Sequence, residues 1–194
     1  MKYEVIDNFL DEEYFDSLVT LIADKEKTGN SGFPWFFNPS VEYAKTHKNW
    51  KPDESNPNKH YMYHIFYDWN VPRSDFFERL LPLISKLEVR CLLRVKANLY
   101  PHTEKLLEYQ MHEDDNFSHS GCVLSLNTCD GYTKLKDGTK IDSVANRMLL
   151  FDPREEHAPT STTNVPARFN INLNYIQVET TETQALMDWN ERIL

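Results

Sequence analysis

The pattern of apolar and polar residues changes once along the chain, near residue 88. Before that point, apolar residues from Tyr14 to Ile22 recur at helical spacing and predict a helix over Asp11–Lys27. Asp11 stands where the N-cap of this helix would lie. A short strand is predicted just upstream, at Tyr3–Ile6. The chain therefore begins with a strand followed by an amphipathic helix.

The middle of the N-terminal part combines a polar segment with an aromatic one. The segment Lys45–Lys59 is polar, contains two prolines and shows no periodicity, so it predicts a long loop that could act as a lid. The run Tyr61–Tyr67 is dense in aromatic residues and predicts a buried strand. Ser74 is expected to cap a further helix, which Pro82 would break or kink.

Beyond Glu88 the pattern becomes one of short strands separated by turn residues. Asp130-Gly131 and Asp137-Gly138 are typical turn sequences. The predicted strands are Val89–Tyr100, Leu107–His112, Gly121–Leu126, Tyr132–Leu135, Arg147–Phe151, Glu156–Ala158 and Arg168–Val178. A last helix is predicted over Thr181–Ile193, beginning with the capping box Thr181-x-x-Gln184.

This order of elements predicts an α+β fold that is mainly β. Helices followed by many short strands favour a double-sheet jelly roll, also called a double-stranded β-helix, with helices packed outside. We expect one domain over residues 1–194, with N-terminal support at 1–88, the jelly-roll core at 89–178 and a C-terminal helix at 179–194. A chain of this length can bury a full core.

Composition narrows the classes of function. The formal net charge of −9 argues against a nucleic-acid partner, because such proteins need a basic surface. No apolar stretch reaches the length of a membrane span, and the start of the chain carries acidic residues where a signal peptide needs an apolar run. The three cysteines lack zinc-type spacing, so we expect reduced thiols and a cytoplasmic protein.

The most informative chemistry is the pair His112 and Asp114 with a distant His157. Residues two apart on a strand point the same way, so His112 and Asp114 can share one face. With His157 they would form a 2-His-1-carboxylate triad, which is typical of non-heme Fe(II) oxygenases. The alternative interpretation is a polar surface turn plus an ordinary polar histidine, since short motifs often arise by chance.

Other residues could compete for a metal. His119 and Asp115 lie close to the His-x-Asp pair and are rival ligands, although His119 lacks a carboxylate at the right offset. His60 and His64 are four apart, but a strand would not align them as a helix does. Arg94 alternates with Leu92 and Lys96, which favours a solvent-facing position over a place in a pocket.

A strictly alternating strand follows the last histidine. From Arg168 to Tyr175, Arg and three Asn residues alternate with apolar residues. An edge strand could show the same pattern, but this polar face suits the lining of a pocket, where Asn170 would stand next to Arg168. A guanidinium there could bind a carboxylate through two parallel hydrogen bonds. A dicarboxylic keto acid would fit, with its keto-acid end on the metal.

Several further blocks occur in a fixed order with these residues. They are Tyr100, Tyr109 through Asp114, Leu126-Asn127, Asp130 through Thr133, Asn146 through Phe151 and Arg168 through Tyr175. Together they resemble the Fe(II)/2-oxoglutarate-dependent dioxygenases, specifically the prolyl-hydroxylase-like branch. The resemblance covers about Val89–Tyr175, with a looser similarity over Tyr3–Ile22.

The resemblance implies a role for each matching residue. His112, Asp114 and His157 would bind Fe(II), Arg168 would pair with the distal carboxylate of 2-oxoglutarate, and Tyr100 would supply a second hydrogen bond to it. Two positions depart from the pattern: Ser125 replaces a tyrosine that contacts 2-oxoglutarate in close relatives, and Asn174 replaces an aromatic residue.

The implied activity is hydroxylation of a C–H bond with release of succinate and carbon dioxide. The expected partners are 2-oxoglutarate, dioxygen and a primary substrate, either a peptidyl proline or a small molecule; ascorbate is a candidate reductant. Two alternatives stay open: a cupin-like metal-binding protein without 2-oxoglutarate, and a non-enzymatic jelly-roll binding module. Fold likeness alone does not decide the substrate.

Overall fold

The N-terminal strand and helix form as the sequence predicts. The computed structural model describes residues 3–23, 32–39 and 59–177. Strand β1 (Tyr3–Ile6) is followed by helix α1 (Glu12–Ala23). The Oδ1 atom of Asp11 accepts a hydrogen bond from the backbone N–H of Tyr14 at 2.9 Å, so Asp11 is the N-cap. The rest of the helix predicted to Lys27 lies outside the described residues.

The aromatic run forms a strand, as predicted, with two short neighbours that the sequence did not indicate. Strand β3 (Tyr61–Asp68) pairs with β2 (Phe36–Asn38) on one side and with β4 (Val71–Pro72) at its end. All but the last residue of the predicted loop Lys45–Lys59 lie outside the described part of the chain.

The predicted second helix forms in two parts, and the expectation that Pro82 would break it is wrong, because the α-helix continues beyond it. A 3-10 helix (Phe77–Leu80) leads directly into α2 (Leu81–Lys86), and Pro82 lies in the first turn of α2. Proline is tolerated there because the N–H groups of a first turn have no partner within the helix. Ser74 opens the segment, since its Oγ accepts a hydrogen bond from the backbone N–H of Phe76 at 3.1 Å.

The rest of the described chain consists of strands. They are β5 (Cys91–Pro101), β6 (Ser120–Ser125), β7 (Tyr132–Leu135), β8 (Lys140–Asp142), β9 (Arg147–Phe151), β10 (His157–Pro159) and β11 (Ala167–Ile176). The Asp137-Gly138 turn joins β7 to β8, and Gly138 adopts a φ of +87°, which favours glycine. Strand β8 was not predicted. The predicted helix Thr181–Ile193 lies outside the described residues.

These strands form two antiparallel sheets. The larger sheet has the order β1-β9-β6-β11-β5-β3-β2, with β4 attached to β3, and the smaller sheet has the order β10-β7-β8. The non-consecutive neighbours in this order mean that the chain repeatedly crosses between strands, as it does in a jelly roll. The predicted mainly β, double-stranded β-helix architecture is therefore confirmed.

The strand predicted at Leu107–His112 is wrong. The segment forms only isolated bridges with the neighbouring chain, at Glu108–Thr160 and at His112–His157. At its end, the backbone groups of His112 and His157 exchange two hydrogen bonds, of 2.9 and 3.0 Å. Three residues before His112, the backbone N–H of Tyr109 donates to the carbonyl of Pro159. Pro159 has no N–H that could donate to Tyr109 in exchange, so the regular hydrogen-bond ladder of a strand pair does not form.

The alternation of β5 and β11 divides their residues between core and pocket. The main apolar core lies between the larger sheet and the helices, and contains Leu18, Leu83, Val95, Leu124 and Ile171 among others. The intervening positions on β5 and β11 point to the opposite face of the sheet. No described helix is both long and apolar enough to cross a membrane.

Candidate metal centre and anion pocket

The structure brings the three predicted ligands together. His157 begins β10, His112 lies opposite it, and Asp114 follows two residues later. One donor atom from each of these residues lies within 4.8 Å of the others. The backbone N–H of Asp114 donates to the carbonyl of Pro153 at 2.9 Å, which fixes the third ligand relative to the turn before β10. Two nitrogens and one carboxylate oxygen thus converge.

Backbone carbonyls orient both imidazole rings. Nδ1 of His112 lies 3.2 Å from the carbonyl oxygen of Gln110, and Nδ1 of His157 lies 3.0 Å from that of Glu155. Because a carbonyl oxygen only accepts, each Nδ1 must carry the proton, and each Nε2 offers a lone pair. Burial, and then the charge of His157, lower the pKa of His112 to about 4, which favours the neutral imidazole that binds metals.

Both oxygens of Asp114 are held by neighbouring side chains. Oδ1 accepts from Arg94 at 3.0 Å, and Oδ2 accepts from Nδ2 of Asn174 at 2.9 Å. Arg94 also donates to Oδ1 of Asn174 at 3.2 Å. Burial opposes ionisation of Asp114, but the charge of Arg94 and the Asn174 hydrogen bond outweigh it and hold the pKa below its usual range. A carboxylate has about four acceptor sites, so a metal can still bind.

The solvent-facing position predicted for Arg94 is wrong. Its side chain is 12% exposed and it lines the pocket beside Asp114. Strand register explains the contact, because Arg94 pairs with Asn174 across β5 and β11. The sequence did contain a sign that Arg94 faces the pocket. Tyr100, a predicted pocket residue, lies six residues further along β5, and residues an even number apart on a strand share one face. Asn174, which replaces the aromatic residue of the family pattern, also has a structural role, because it donates a hydrogen bond to Asp114.

The rival ligands do not join the cluster. Among the residues that the structure describes, His112, Asp114 and His157 form the one group of three able to hold a metal. His119 is buried with its Nε2 atom 3.0 Å from Nδ2 of Asn174. His64 lies between the carbonyl of Pro34 and the hydroxyl of Ser74, at 2.8 and 2.7 Å, and is a core residue.

Arg168 is a fully buried cation. It is 1% exposed, and its guanidinium donates to the Thr160 carbonyl at 3.2 Å and to Oγ1 of Thr133 at 3.0 Å. Its charge lies 5.6 Å from the ring centroid of Tyr100, and its Nε has no hydrogen-bond partner. Within the described ranges, no carboxylate forms an ion pair with it. Burial lowers the pKa of Arg168, and a buried charge of this kind calls for an anion.

Gly131 provides the space that Arg168 occupies. A Cβ atom at position 131 would lie 2.8 Å from Cδ of Arg168 and 2.6 Å from the carbonyl oxygen of Ser161. Any side chain here would therefore displace the guanidinium or the backbone beneath it. The Asp130-Gly131-Tyr132-Thr133 block thus supports the cation twice, through this glycine and through the Thr133 hydroxyl.

One pocket connects the triad with the residues beside Arg168, although Arg168 itself is buried behind them and does not line it. It is lined by the triad, by Tyr100 and by Asn170, as predicted, and by Thr133, the hydrogen-bond partner of Arg168. Ser125 is buried but does not line it. Tyr61 does, stacking on Tyr100 at a centroid distance of 5.7 Å. Additional lining residues that the sequence did not indicate are Arg94, Lys96, Glu113, Val123 and Pro159.

The donor set fits the metal and co-substrate implied by the sequence. Two imidazoles and one carboxylate suit Fe(II) and leave metal positions free. The buried Oδ1 of Asn172, which also lines the pocket, has no hydrogen-bond partner. This oxygen is a polar group of the cavity that a bound polar ligand would satisfy.

Comparisons with solved structures find the same fold. An oxidoreductase of the 2OG-Fe(II) oxygenase family from Burkholderia pseudomallei aligns with a TM-score of 0.59 at 12% identity, over 91% of this chain and 86% of that chain. A prolyl hydroxylase of Trichoplax adhaerens, in complex with a peptide of hypoxia inducible factor, gives 0.57 at 16%, over 90% and 83%. A prolyl-4-hydroxylase of Pseudomonas putida gives 0.56 at 14%, over 91% and 92%.

These similarities confirm the predicted resemblance at the level of the fold. No family model matches the chain, and no curated protein matches it in sequence. The chain has the fold of the 2OG-Fe(II) oxygenases, and the chemistry must be argued from its own residues.

Proposed function

We propose that this protein is an Fe(II)- and 2-oxoglutarate-dependent oxygenase that hydroxylates a C–H bond and releases succinate and carbon dioxide. The observation that carries the proposal is a buried guanidinium without a carboxylate partner in the described chain, which donates to Thr133, a residue that lines the pocket of the His-Asp-His cluster. A metal site alone would not need this cation. A dicarboxylic co-substrate accounts for both features.

His112, Asp114 and His157 would hold the iron on one face. Their hydrogen bonds fix the ligating atoms in advance: the carbonyls of Gln110 and Glu155 orient the rings, and Arg94 orients the carboxylate. When bound, iron and 2-oxoglutarate together supply the oxidation of the substrate by dioxygen. The protein contributes ligation, orientation and exclusion of water.

Arg168 would pair with the distal carboxylate of 2-oxoglutarate. Its hydrogen bonds to Thr133 and to the Thr160 carbonyl hold the guanidinium in place, so little further ordering is needed on binding. Tyr100 would offer its hydroxyl as a second contact, and Asn170 would line the same wall, held by a 2.9 Å hydrogen bond from Asn98. Ser125 replaces a tyrosine that contacts 2-oxoglutarate in close relatives, and it does not line the pocket. Tyr61 does line the pocket, and it would provide the aromatic contact that Ser125 cannot make.

The primary substrate is proposed only as a class: a peptidyl proline or a small molecule. One protein of similar fold was solved with a peptide fragment, and another, a viral collagen prolyl hydroxylase, with 2OG. The net charge of −9 continues to argue against a nucleic-acid substrate. Ascorbate stays a prediction.

Succinate formation tests the proposal. The purified protein, supplied with Fe(II), 2-oxoglutarate and dioxygen, should release succinate slowly without a primary substrate, and chelation of the iron should stop the release. The variant His112→Ala should lose this turnover, and Arg168→Met should need far more 2-oxoglutarate. His102→Ala is the matched control, because His102 is an exposed histidine outside the metal cluster.

Two other outcomes would replace the proposal. Metal binding without any dependence on 2-oxoglutarate would indicate a cupin-like metal protein, with Arg168 reduced to a structural residue. Absence of both metal and 2-oxoglutarate binding would indicate a non-enzymatic jelly-roll module.

A further inference from the structure

Lys96 is a second cation in the pocket that the proposed function does not use. It lies on β5, where it pairs with Asn172 of β11 and Ile65 of β3, and it lines the pocket on the same face as Arg94. Its ammonium nitrogen lies 5.5 Å from the ring centroid of Tyr61. The side chain is therefore directed toward the aromatic wall of the cavity, and the residue as a whole is half-buried.

No described carboxylate forms a close ion pair with this charge, although Asp114 and Asp68 favour it from a longer distance. Across residues 3–23, 32–39 and 59–177, Lys96 makes no hydrogen bond and no ion pair. Arg94 is balanced by Asp114 at 3.0 Å. Glu113 also lines the pocket, but it is exposed and forms no ion pair with Lys96. Since a half-buried ammonium at the pocket wall is stabilised by a nearby negative charge, the position suits an anion.

Lys96 and Arg168 lie at different positions along the sheet. Arg168 pairs across the sheet with Tyr100, which lies four residues from Lys96 along β5. At the rise of a β-strand, the two backbone positions are about 13 Å apart. The two cations therefore start from well-separated backbone positions, which leaves room for a separate anionic group near Lys96.

We propose that Lys96 binds a carboxylate of the primary substrate, which is therefore a small organic acid such as a free amino acid. The inference rests on the proposed function, in which 2-oxoglutarate occupies Arg168 and the metal. Tyr61 and Tyr100 would then hold the apolar part of the acid, and its carboxylate would lie against the ammonium group.

The acid–base properties of Lys96 are consistent with this assignment. Burial, and then the charge of Arg94, lower the pKa of the ammonium to about 7. A carboxylate bound beside it would favour the protonated form. The charged form of Lys96 is therefore disfavoured in the empty pocket and favoured when an anionic ligand is bound.

A neutral analogue of the right acid should bind much less well. The amide of a carboxylic acid has nearly the same shape, but it cannot neutralise Lys96 and leaves a buried charge unpaired. We expect on the order of tenfold to a hundredfold weaker binding of the amide, as for other interactions with buried charges.

The experiment compares free L-amino acids and short aliphatic carboxylates with their carboxamides. Each probe is added under anaerobic conditions to the complex of the protein with Fe(II) and 2-oxoglutarate, and the visible charge-transfer band is followed. Acids should perturb the band of the wild-type protein at concentrations at least about tenfold below their amides. Lys96→Met should abolish the preference, and Lys96→Arg should restore part of it.

The same titrations separate Lys96 from the co-substrate site. Lys96→Met should leave the Kd for 2-oxoglutarate within about threefold of the wild-type value, whereas Arg168→Met should raise it at least about 30-fold. An equal rise in both variants would overturn the proposal, because Lys96 would then hold 2-oxoglutarate.

The remaining outcomes are also decisive. A wild-type band that responds equally to acids and amides, or to no acid at all, would overturn the Lys96 assignment alone. A wild-type protein that forms no band with Fe(II) and 2-oxoglutarate would contradict the proposed function, and the assignment would fall with it.

Discussion

Arg94 donates a hydrogen bond to Oδ1 of Asp114 at 3.0 Å, and both side chains are largely buried, with exposures of 12% and 13%. Asn174 donates to the other oxygen of the same carboxylate at 2.9 Å. The carboxylate is thus ionised and oriented by residues from two neighbouring strands, β5 and β11. A metal entering the site would meet a ligand that is already in place.

Replacing Arg94 should weaken metal binding. Arg94→Met keeps most of the apolar stem but removes the charge that holds Asp114, and loss of such a partner typically costs 10- to 100-fold in metal affinity. We expect a loss of roughly this size in the affinity for Fe(II), measured by anaerobic calorimetry. Arg90→Met is the matched control, because Arg90 is exposed just before β5 and should change nothing. Unchanged Fe(II) affinity in Arg94→Met would show that Asp114 needs no such support.

Gly131→Ala should reduce the affinity for 2-oxoglutarate more than that for the metal. The new methyl group would lie 2.8 Å from Cδ of Arg168 and would displace the guanidinium, at a cost of about 1–3 kcal/mol in stability for overpacking. The Kd values for 2-oxoglutarate and for Fe(II), each measured by anaerobic titration, distinguish the two effects.

Gly121→Ala introduces similar steric crowding, but beside the metal site and away from Arg168. A Cβ atom at position 121 would lie 2.8 Å from Cβ of Pro153, whose carbonyl accepts from the backbone of Asp114. This variant should therefore weaken Fe(II) binding more than the Gly131 variant does. Equal losses of both ligands in both variants would argue that the substitutions merely loosen the fold.

The lowered pKa of Lys96 predicts how stability depends on pH. Burial, and then Arg94, lower this pKa from 10.5 to about 7, so between these pH values the unfolded chain binds more protons at this position than the folded protein. Stability from this group is therefore lost as pH falls through the window, and rises as pH increases. The free energy of unfolding of the wild-type protein minus that of Lys96→Met should increase from about pH 7 to about pH 9, as measured by urea titrations at each pH. A constant difference would contradict the buried position of the ammonium.

The cap of α1 gives a prediction about stability alone. Asp11→Ala removes the acceptor for the Tyr14 N–H and should lower the free energy of unfolding by about 1 kcal/mol. Asp11→Ser keeps a capping oxygen and should recover most of the loss. Thermal unfolding of the two variants checks this, and similar values for both would show that the hydrogen bond contributes little.

The sequence indicated which residues would lie close together, and their roles stay predictions. The His-x-Asp pair, His157 and Arg168 stood out because catalytic residue types recurred in a fixed order with strand-like segments. The structure brings donor atoms of the first three within 4.8 Å and buries the fourth behind the pocket, where it donates to Thr133. Alternation on β11 also predicted correctly that Asn170 faces the pocket.

The sequence failed where the answer depended on register and on single backbone groups. Arg94 looked solvent-facing because alternation shows that two faces exist without showing which one is buried. Its pairing with Asn174, 80 residues away, decides the matter. The strand predicted over Leu107–His112 forms only isolated bridges, because Pro159 beside Tyr109 lacks an N–H and the two bridges differ in register by one residue. Strands of two or three residues, such as β2, β4 and β8, carry too little periodicity to be seen.

The measurement that tests the central claim most directly is an anaerobic titration of the apoprotein with Fe(II) and then with 2-oxoglutarate. We predict a visible charge-transfer band that requires both additions, disappears in His112→Ala, and needs at least about 30-fold more 2-oxoglutarate in Arg168→Met. Fe(II) binding without a band, or a band unaffected by Arg168→Met, would contradict the claim that the triad and the buried guanidinium bind one co-substrate between them.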